Sequence, residues 1–504
     1  MLSEIPLLSL LLIVPLIGAV VTLLMGGGMA KHAGKAAGLF AAITMVLSLY
    51  LLFVDDLSTL DESHVWIDAV GLKINYALTV DGLSLLLILM TTILVTLVLV
   101  FCKNEADRPN YFHSLILMME IGLVGVFMAA DYFLFYVMWE VTLIPMFFLI
   151  SWYGGPRRHY AAIKFFIYTH VASLVMLIGI FAMVFEASSV TGAGIDFAFE
   201  AVKAAPFAKD FQTVVFGLLF FGFIVKMPMV PFHTWLPDAH VEAPTGGSVL
   251  LAASMLKMGS YGIVRICLEA LPLGAIEWQW VMIGLGLVSM VYGAYACIAQ
   301  KDLKKLVAYS SVSHMGMVLL AIGTLSEIGI LFAVVQMFAH GLISAALFMV
   351  AGAAGHNFGT RDIPLLGGLA GKFPLFAAFM MFSFMASLGL PGLVGFVAEF
   401  GILFSFWEFL AAQPDEWVTV LIAFGPLYML LTAGYYLWAM QRTLFGAETK
   451  KVDLSKCEDL GGPETVALGL VCLLVAVFGI MPSLAVDFIA PYADTLGTFL
   501  GGLI

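Results

Sequence analysis

The sequence has 504 residues, 62% of them hydrophobic and only 11% charged, with a mean hydropathy of +1.05. A soluble domain of this size cannot carry such a surface, so lipid or neighbouring subunits must cover it. The net charge of −12 comes mainly from acids in loops and gives no footing for nucleic acid.

Apolar runs of about 18 residues or more recur from end to end, the pattern of a polytopic α-helical membrane protein. The opening MLSEIPLLSLLLIVPLIGAVVTLLM carries Glu4 where a signal peptide would have a basic region, and its apolar run is too long. The first helix is therefore expected to be retained. Fourteen spans are expected. The first seven lie at about 5–25, 33–54, 80–101, 111–130, 132–151, 159–185 and 211–238. The others lie at about 245–268, 278–300, 302–323, 329–353, 373–408, 417–445 and 463–481. With the N-terminus outside, sixteen of the 22 Lys and Arg residues fall on the cytoplasmic side and four outside, leaving Lys226 and Lys257 within the membrane. That bias fixes the orientation and puts both termini on the outer side.

Cys102, Cys267, Cys297, Cys457 and Cys472 are scattered without a C-x-x-C pair, so neither a disulfide framework nor a zinc or iron–sulfur site is expected. No glycine-rich phosphate loop or dinucleotide fingerprint follows a predicted strand. The chain is expected to bind no cofactor of its own.

Two spans are abnormal. The seventh runs into KMPMVPFHTWLPDAHVEAPTGG (226–247) and the twelfth contains SLGLPGLVGF (387–396). Proline removes a backbone donor and glycine loosens the helix around it, so both are expected to be discontinuous. Each is the fourth span of a five-span set, 4–8 and 9–13, and the two sets have opposite orientations. This is the organisation of an inverted-repeat transporter. The chain is then a single membrane domain with spans 1–3 in 1–110, one repeat in 111–270, a second in 271–446, and span 14 with a C-terminal tail in 447–504.

Ionisable residues within these spans carry the chemistry: Glu140, Lys226, Lys257, His314, His340 and Glu399. Placing one such group at the bilayer centre costs roughly 2.5–3.5 kcal/mol on insertion scales. Structural ion pairs that glue helices together are the plainer reading. Beside two broken helices, a proton relay explains them better. Burial disfavours a charged lysine and a nearby carboxylate restores it. At about 4 Å and an effective dielectric near 20 the attraction is on the order of 4 kcal/mol, enough to switch Lys226 as Glu140 approaches or withdraws. Lys257 is placed to receive the proton, His314 and His340 to carry it, and Glu399 to exchange it at the far end, with water held at the breaks. His170 and Glu120 are weaker candidates. His233 and His240, near the cytoplasmic end of span 7, are solvated loop residues by default, with proton uptake as the alternative. No histidine–carboxylate spacing suggests a metal site.

FHTWLPDAHVEAPTGGSVLLAASMLKMGSYG (232–262), KKLVAYSSVSHMG (304–316), FAHGLISAALFMVAG (338–352), LGLPGLVGFVAEF (388–400) and the glutamate-bearing YFLFYVMWEVTLIPMFFLI (132–150) resemble the antiporter-like subunits of respiratory complex I, the proton-translocating NADH:quinone oxidoreductase. The AHVEAPTGGS block, a glutamate rather than lysine at 399, and the short stretch after span 14 resemble the M-type subunit, the family of mitochondrial NADH dehydrogenase subunit 4. The resemblance implies Glu140 and Lys226 as a charge-switch pair, Lys257 as central relay, His314 and His340 on a hydrated axis, and Glu399 at its distal end. It implies a subunit of a translocase without a redox centre. NADH, flavin, iron–sulfur clusters and quinone would lie in the wider complex, two sister antiporter-like subunits would be neighbours, and a bacterial inner membrane would be the location. A subunit of a multi-subunit cation/proton antiporter or membrane-bound hydrogenase is the alternative, and a passive membrane scaffold the reading from another class.

Overall fold

In the computed structural model, residues 6–69, 71–103, 107–414 and 416–503 are described, and Glu4 lies outside them. All fourteen apolar stretches form helix, because inside lipid the backbone has no water to bond and must pair within each segment. The first six helices are α1 Leu7–Leu24, α2 Ala33–Tyr50, α3 Gly82–Phe101, α4 Pro109–Met128, α5 Tyr132–Tyr153 and α6 Arg158–Thr191. The seventh stretch divides into α7 Lys209–Lys226 and α8 Trp235–Glu242. Then come α9 Thr245–Leu268, α10 Pro272–Ile298, α11 Leu303–Gly323 and α12 Glu327–Asn357. The twelfth stretch divides into α13 Pro374–Ser387 and α14 Val394–Ala411, followed by α15 Phe424–Thr443 and α16 Gly462–Ile480. Among the described residues, thirteen helices are long and apolar enough to cross a membrane. The seventh stretch is missing from that set, since α7 carries Lys209, Asp210 and Lys226 in 18 residues.

Two features depart from the expected architecture. First, the loop between α2 and α3 forms a hairpin, β1 Glu62–Ala69 and β2 Leu72–Leu78, with Gly71 at φ +78° in its turn, and Ile195–Asp196 adds a short parallel strand, β3. Glu62 reaches from the hairpin to the α1 N-terminus and accepts from the Leu8 and Ser9 amides at 2.8 and 3.2 Å, satisfying donors that a helix start leaves open. Second, the expected C-terminal tail contains a further helix, α17 Ser483–Gly501, which packs along α12 and α3. It lies close: a Cβ on Gly497 would sit 2.6 Å from the Glu327 backbone.

The helices are unequally covered. α3, α4, α9, α11 and α12 are almost wholly buried, whereas α1, α2, α6 and α16 present apolar residues outward. On α6 the outward row includes Ile163, Ile167, Val171, Leu174 and Ile178, spaced as one helix face. The buried helices carry most of the polar residues considered below.

Candidate functional site

The two breaks hold their freed backbone in different ways. After Lys226 the chain turns through 227–234, with a cis Val230–Pro231 bond. The Trp235 indole donates to the Val225 carbonyl at 3.0 Å, and the Val230 amide donates to Ser289 Oγ at 3.0 Å. Side chains thus occupy backbone groups that proline and the turn leave unpaired. At the second break Gly389 and Gly392 take φ of +79° and +94°, a region open to glycine. There the freed Ser387 carbonyl faces His314 Nε2 at 3.1 Å.

Around this second break the expected residues come together. Lys257 Nζ lies 2.7 Å from His340 Nδ1 and 2.5 Å from the Ala252 carbonyl. That carbonyl belongs to a π-helical turn, 251–255, and a second such turn, 263–268, follows on α9. A widened turn shifts the carbonyls out of the α-helical ladder, and here one of them serves the lysine. The His340 and His314 rings are 5.4 Å apart. His314 Nδ1 lies 2.7 Å from the Ser310 carbonyl, and Nε2 faces both the Ser387 carbonyl and Glu399 Oε1, the latter at 3.3 Å. All three neighbours are acceptors, so every contact is a hydrogen bond only when both ring nitrogens carry protons. Tyr428 donates to the same Glu399 oxygen at 3.1 Å, while Oε2 has no protein partner. All these side chains are buried.

The first break is different. Glu140 Oε2 is 3.0 Å from His170 Nδ1, and Oε1 accepts from Ser173 Oγ at 2.5 Å. Among the described residues no ion pair joins Glu140 to Lys226. The Lys226 ammonium has no protein hydrogen-bond partner and lies 5.3 Å from the Trp139 ring centroid and 5.8 Å from that of Phe165. Aromatic faces attract a desolvated cation by about 2 kcal/mol. So the carboxylate has chosen a histidine and a serine, and the lysine an aromatic box.

His233 and His240 are buried, with both ring nitrogens lacking protein partners, so they are not solvated loop residues. α8 packs against α6 and α11, and the His240 ring stacks on Phe348 at 4.2 Å. Glu120 is fully buried with neither oxygen bonded to protein.

Sequence reasoning passed over three groups. Ser173 has no charge to attract notice. Lys304, counted among the cytoplasmic-side cations, is buried, donating to the Ala243 carbonyl at 2.8 Å beside a cavity of about 620 Å³ that also reaches Glu242, Arg361 and His356. Its place in the first turn of α11, directly after the N-cap Asp302, was the available signal. Arg265, one of the four cations counted on the outer side, is packed between Asp81 at 2.5 Å and Glu269 at 3.1 Å, and Tyr492 of α17 donates to Glu269 at 2.5 Å. Burial pushes the Asp81 carboxyl up, but the Arg265 guanidinium and the Ser84 hydrogen bonds outweigh it and hold the group below the usual carboxylate range. Among the described residues no three His, Cys, Asp or Glu side chains converge as metal ligands.

Residues 129–445 match the family described as NADH:quinone oxidoreductase/Mrp antiporter, TM. The F(420)H(2) dehydrogenase subunit M of Methanosarcina mazei is 41% identical over 99% of both chains. The NADH-quinone oxidoreductase subunit M of Rhodobacter capsulatus is 38% identical over 96% of this chain and 95% of that protein. Among solved structures, a chain of respiratory complex I from Thermus thermophilus with bound NADH superposes with a TM-score of 0.86 at 30% identity, covering 98% of this chain and 100% of that one. A chain of the Mrp complex from Dietzia sp. shares the fold at 20% identity, with a TM-score of 0.83 and 98% of both chains covered. The chain belongs to the NADH:quinone oxidoreductase/Mrp antiporter family of membrane subunits.

Proposed function

We propose that this chain is the proton-translocating, M-type subunit of an NADH:quinone oxidoreductase, moving protons while neighbouring subunits reduce quinone. The observation that carries the reading is the chain of buried titratable groups Lys257, His340, His314 and Glu399, which runs across helices rather than along one. Lys257 hands a proton to His340 Nδ1, and His340 releases another from its far nitrogen through water to His314. His314 passes it to Glu399, which discharges it to the outer side. Side chains at hydrogen-bonding distance transfer protons readily, and the 5.4 Å ring separation is the step that needs water.

Glu140 and Lys226 act as the switch that loads Lys257. With Glu140 held by His170 and Ser173, Lys226 rests in its aromatic box; when the carboxylate swings to the ammonium, the proton is retained until they part. Lys226 adjoins Met227, which packs on Gly259, two residues along the same helix from Lys257.

The two five-helix sets act as inverted repeats. In support, the third helix of each set packs against both halves of the broken fourth: α6 against α7 and α8, α12 against α13 and α14. Sister antiporter-like subunits are the expected neighbours, in a bacterial inner membrane with both termini on the periplasmic side. The relative from Methanosarcina mazei, named as an F(420)H(2) dehydrogenase subunit, favours F(420)H(2) as an alternative donor for the same membrane function.

The test is Glu140→Gln in the assembled complex. Donor-driven proton uptake into inverted vesicles should fall at least about tenfold, the equivalent of roughly 1.4 kcal/mol, while native gels show full assembly. Normal uptake by a fully assembled variant would return the buried charges to a scaffold role. Purification from native membranes with flavin and iron–sulfur proteins, rather than with antiporter subunits alone, separates the oxidoreductase from an exchanger.

A further inference from the structure

Glu399 has a second set of polar neighbours besides His314. Tyr428, Thr432, Tyr435 and Tyr436 lie on one face of α15, at spacings of four, seven and eight residues from the first, and all four are buried. In an apolar helix a stripe of four hydroxyls facing the protein interior is costly unless the groups find partners. Some do. Tyr428 donates to Glu399 at 3.1 Å, and Tyr436 pairs with Ser387 Oγ at 2.6 Å, beside the second break. Thr432 sits between these two, with its hydroxyl against that of Tyr428. The Tyr435 and Tyr436 rings are 4.4 Å apart, and the Tyr435 hydroxyl lies beside that of Tyr436 and the Cys297 sulfur. Cys297 in turn donates to the Leu306 carbonyl at 3.4 Å, where the end of α10 meets the start of α11. That end of the bundle carries Lys301, Lys304 and Lys305.

We propose that these hydroxyls form a proton relay from the lysine-rich end of α10 and α11 to Glu399, reaching it without passing through Lys257. A proton enters from water at the lysine-rich end, since the Leu306 carbonyl only accepts. Each oxygen then takes a proton on a lone pair as it gives up its own, and the last proton comes to rest on Glu399, so no intermediate member keeps a charge. Water beside the Thr432 and Tyr435 hydroxyls completes the links that the side chains leave open. The relay rests on the proposed pumping function and adds to it a separate supply line for the distal carboxylate.

Hydroxyls that merely glue helices together make the competing case, and Thr432 separates the two. Thr432→Val keeps the shape and removes the hydroxyl; Thr432→Ser keeps the hydroxyl and removes a methyl. In the assembled complex in inverted vesicles, the Val variant should lower donor-driven proton uptake roughly five- to tenfold, and the Ser variant should restore most of it. Tyr436→Phe should match the Val variant, and it serves as the second probe if Thr432→Val fails to assemble. Native uptake by the assembled Val and Phe variants would overturn the relay, as would a Ser variant no better than Val. Glu140→Gln measured in the same vesicles keeps the readings apart: if it pumps normally the pumping function fails, and if it alone is defective only the hydroxyl relay fails.

Discussion

The two broken helices solve one problem in opposite ways. At the first break the carboxylate of Glu140 and the ammonium of Lys226 are held apart, one by hydrogen bonds and the other by indole and phenyl faces. At the second break the carboxylate of Glu399 is already engaged, by an imidazole and a phenol, with one oxygen left over. A separated pair can be joined or parted at modest cost, which suits a switch. An engaged carboxylate with a spare oxygen suits a station where protons arrive and leave. Broken helices therefore do not dictate a role; the partners offered at the break do.

Removing the charge at either break should have the largest effect. Lys226→Met and Glu399→Gln should each reduce proton uptake by about a hundredfold, or roughly 2.7 kcal/mol, measured as donor-driven acidification of inverted vesicles. If only one is severe, the two breaks are not parts of one route.

Backbone crowding comes next, and it sharpens the contrast. A Cβ on Gly389 would sit 2.7 Å from Glu399 Oε2, at a φ that already penalises side chains, so Gly389→Ala should cost about 1–3 kcal/mol and displace the carboxylate. A Cβ on Gly259 would meet the Phe223 carbonyl at 2.6 Å and Met227 at 2.9 Å, shifting the end of α7 instead. Both variants should pump poorly. A water-accessible Glu399, read by carboxyl-modifying reagents, should appear only with Gly389→Ala.

Trp139→Leu should have a smaller effect, about 1 kcal/mol from loss of the aromatic face under Lys226, seen as a several-fold fall in uptake with assembly intact. Trp139→Phe should recover part of it. An unchanged Leu variant would leave the resting place of Lys226 unexplained.

Much of this was open to inspection in the residues. Apolar length located the fourteen helical stretches, and Pro228, Pro231, Gly389 and Gly392 located the breaks, since backbone chemistry acts locally. Partner choice was not legible. Opposite charge suggests Lys226 for Glu140, but His170 and Ser173 reach it from the neighbouring α6, and which helix face turns inward is decided by packing of the whole bundle. The hairpin at 62–78 and α17 escaped notice for another reason. Their apolar residues alternate with acids and turn formers, such as Asp68, Gly71, Pro491 and Asp494, below the density that marks a span. Lys304 and Arg265 count as solvent-side cations at helix ends in the sequence, because burial there depends on what folds over it.

The smallest effect belongs to the Asp81–Arg265 clamp, away from both breaks. Asp81 has its carboxyl held below the usual range near 4, so the clamp with Arg265 is present above that range and lost only as pH falls through the lowered value. The stability difference between native protein and Arg265→Gln, from thermal dissociation of the complex, should therefore stay constant from about pH 5 to 8 and shrink only below about pH 4. A difference that titrates near neutrality would point to another group.

The most direct measurement is a density map of the assembled complex fine enough to place water. Ordered molecules should bridge the His340 and His314 rings and bind the Lys226 ammonium and Glu399 Oε2. A dry interior at those positions would contradict a route that carries protons from one break to the other.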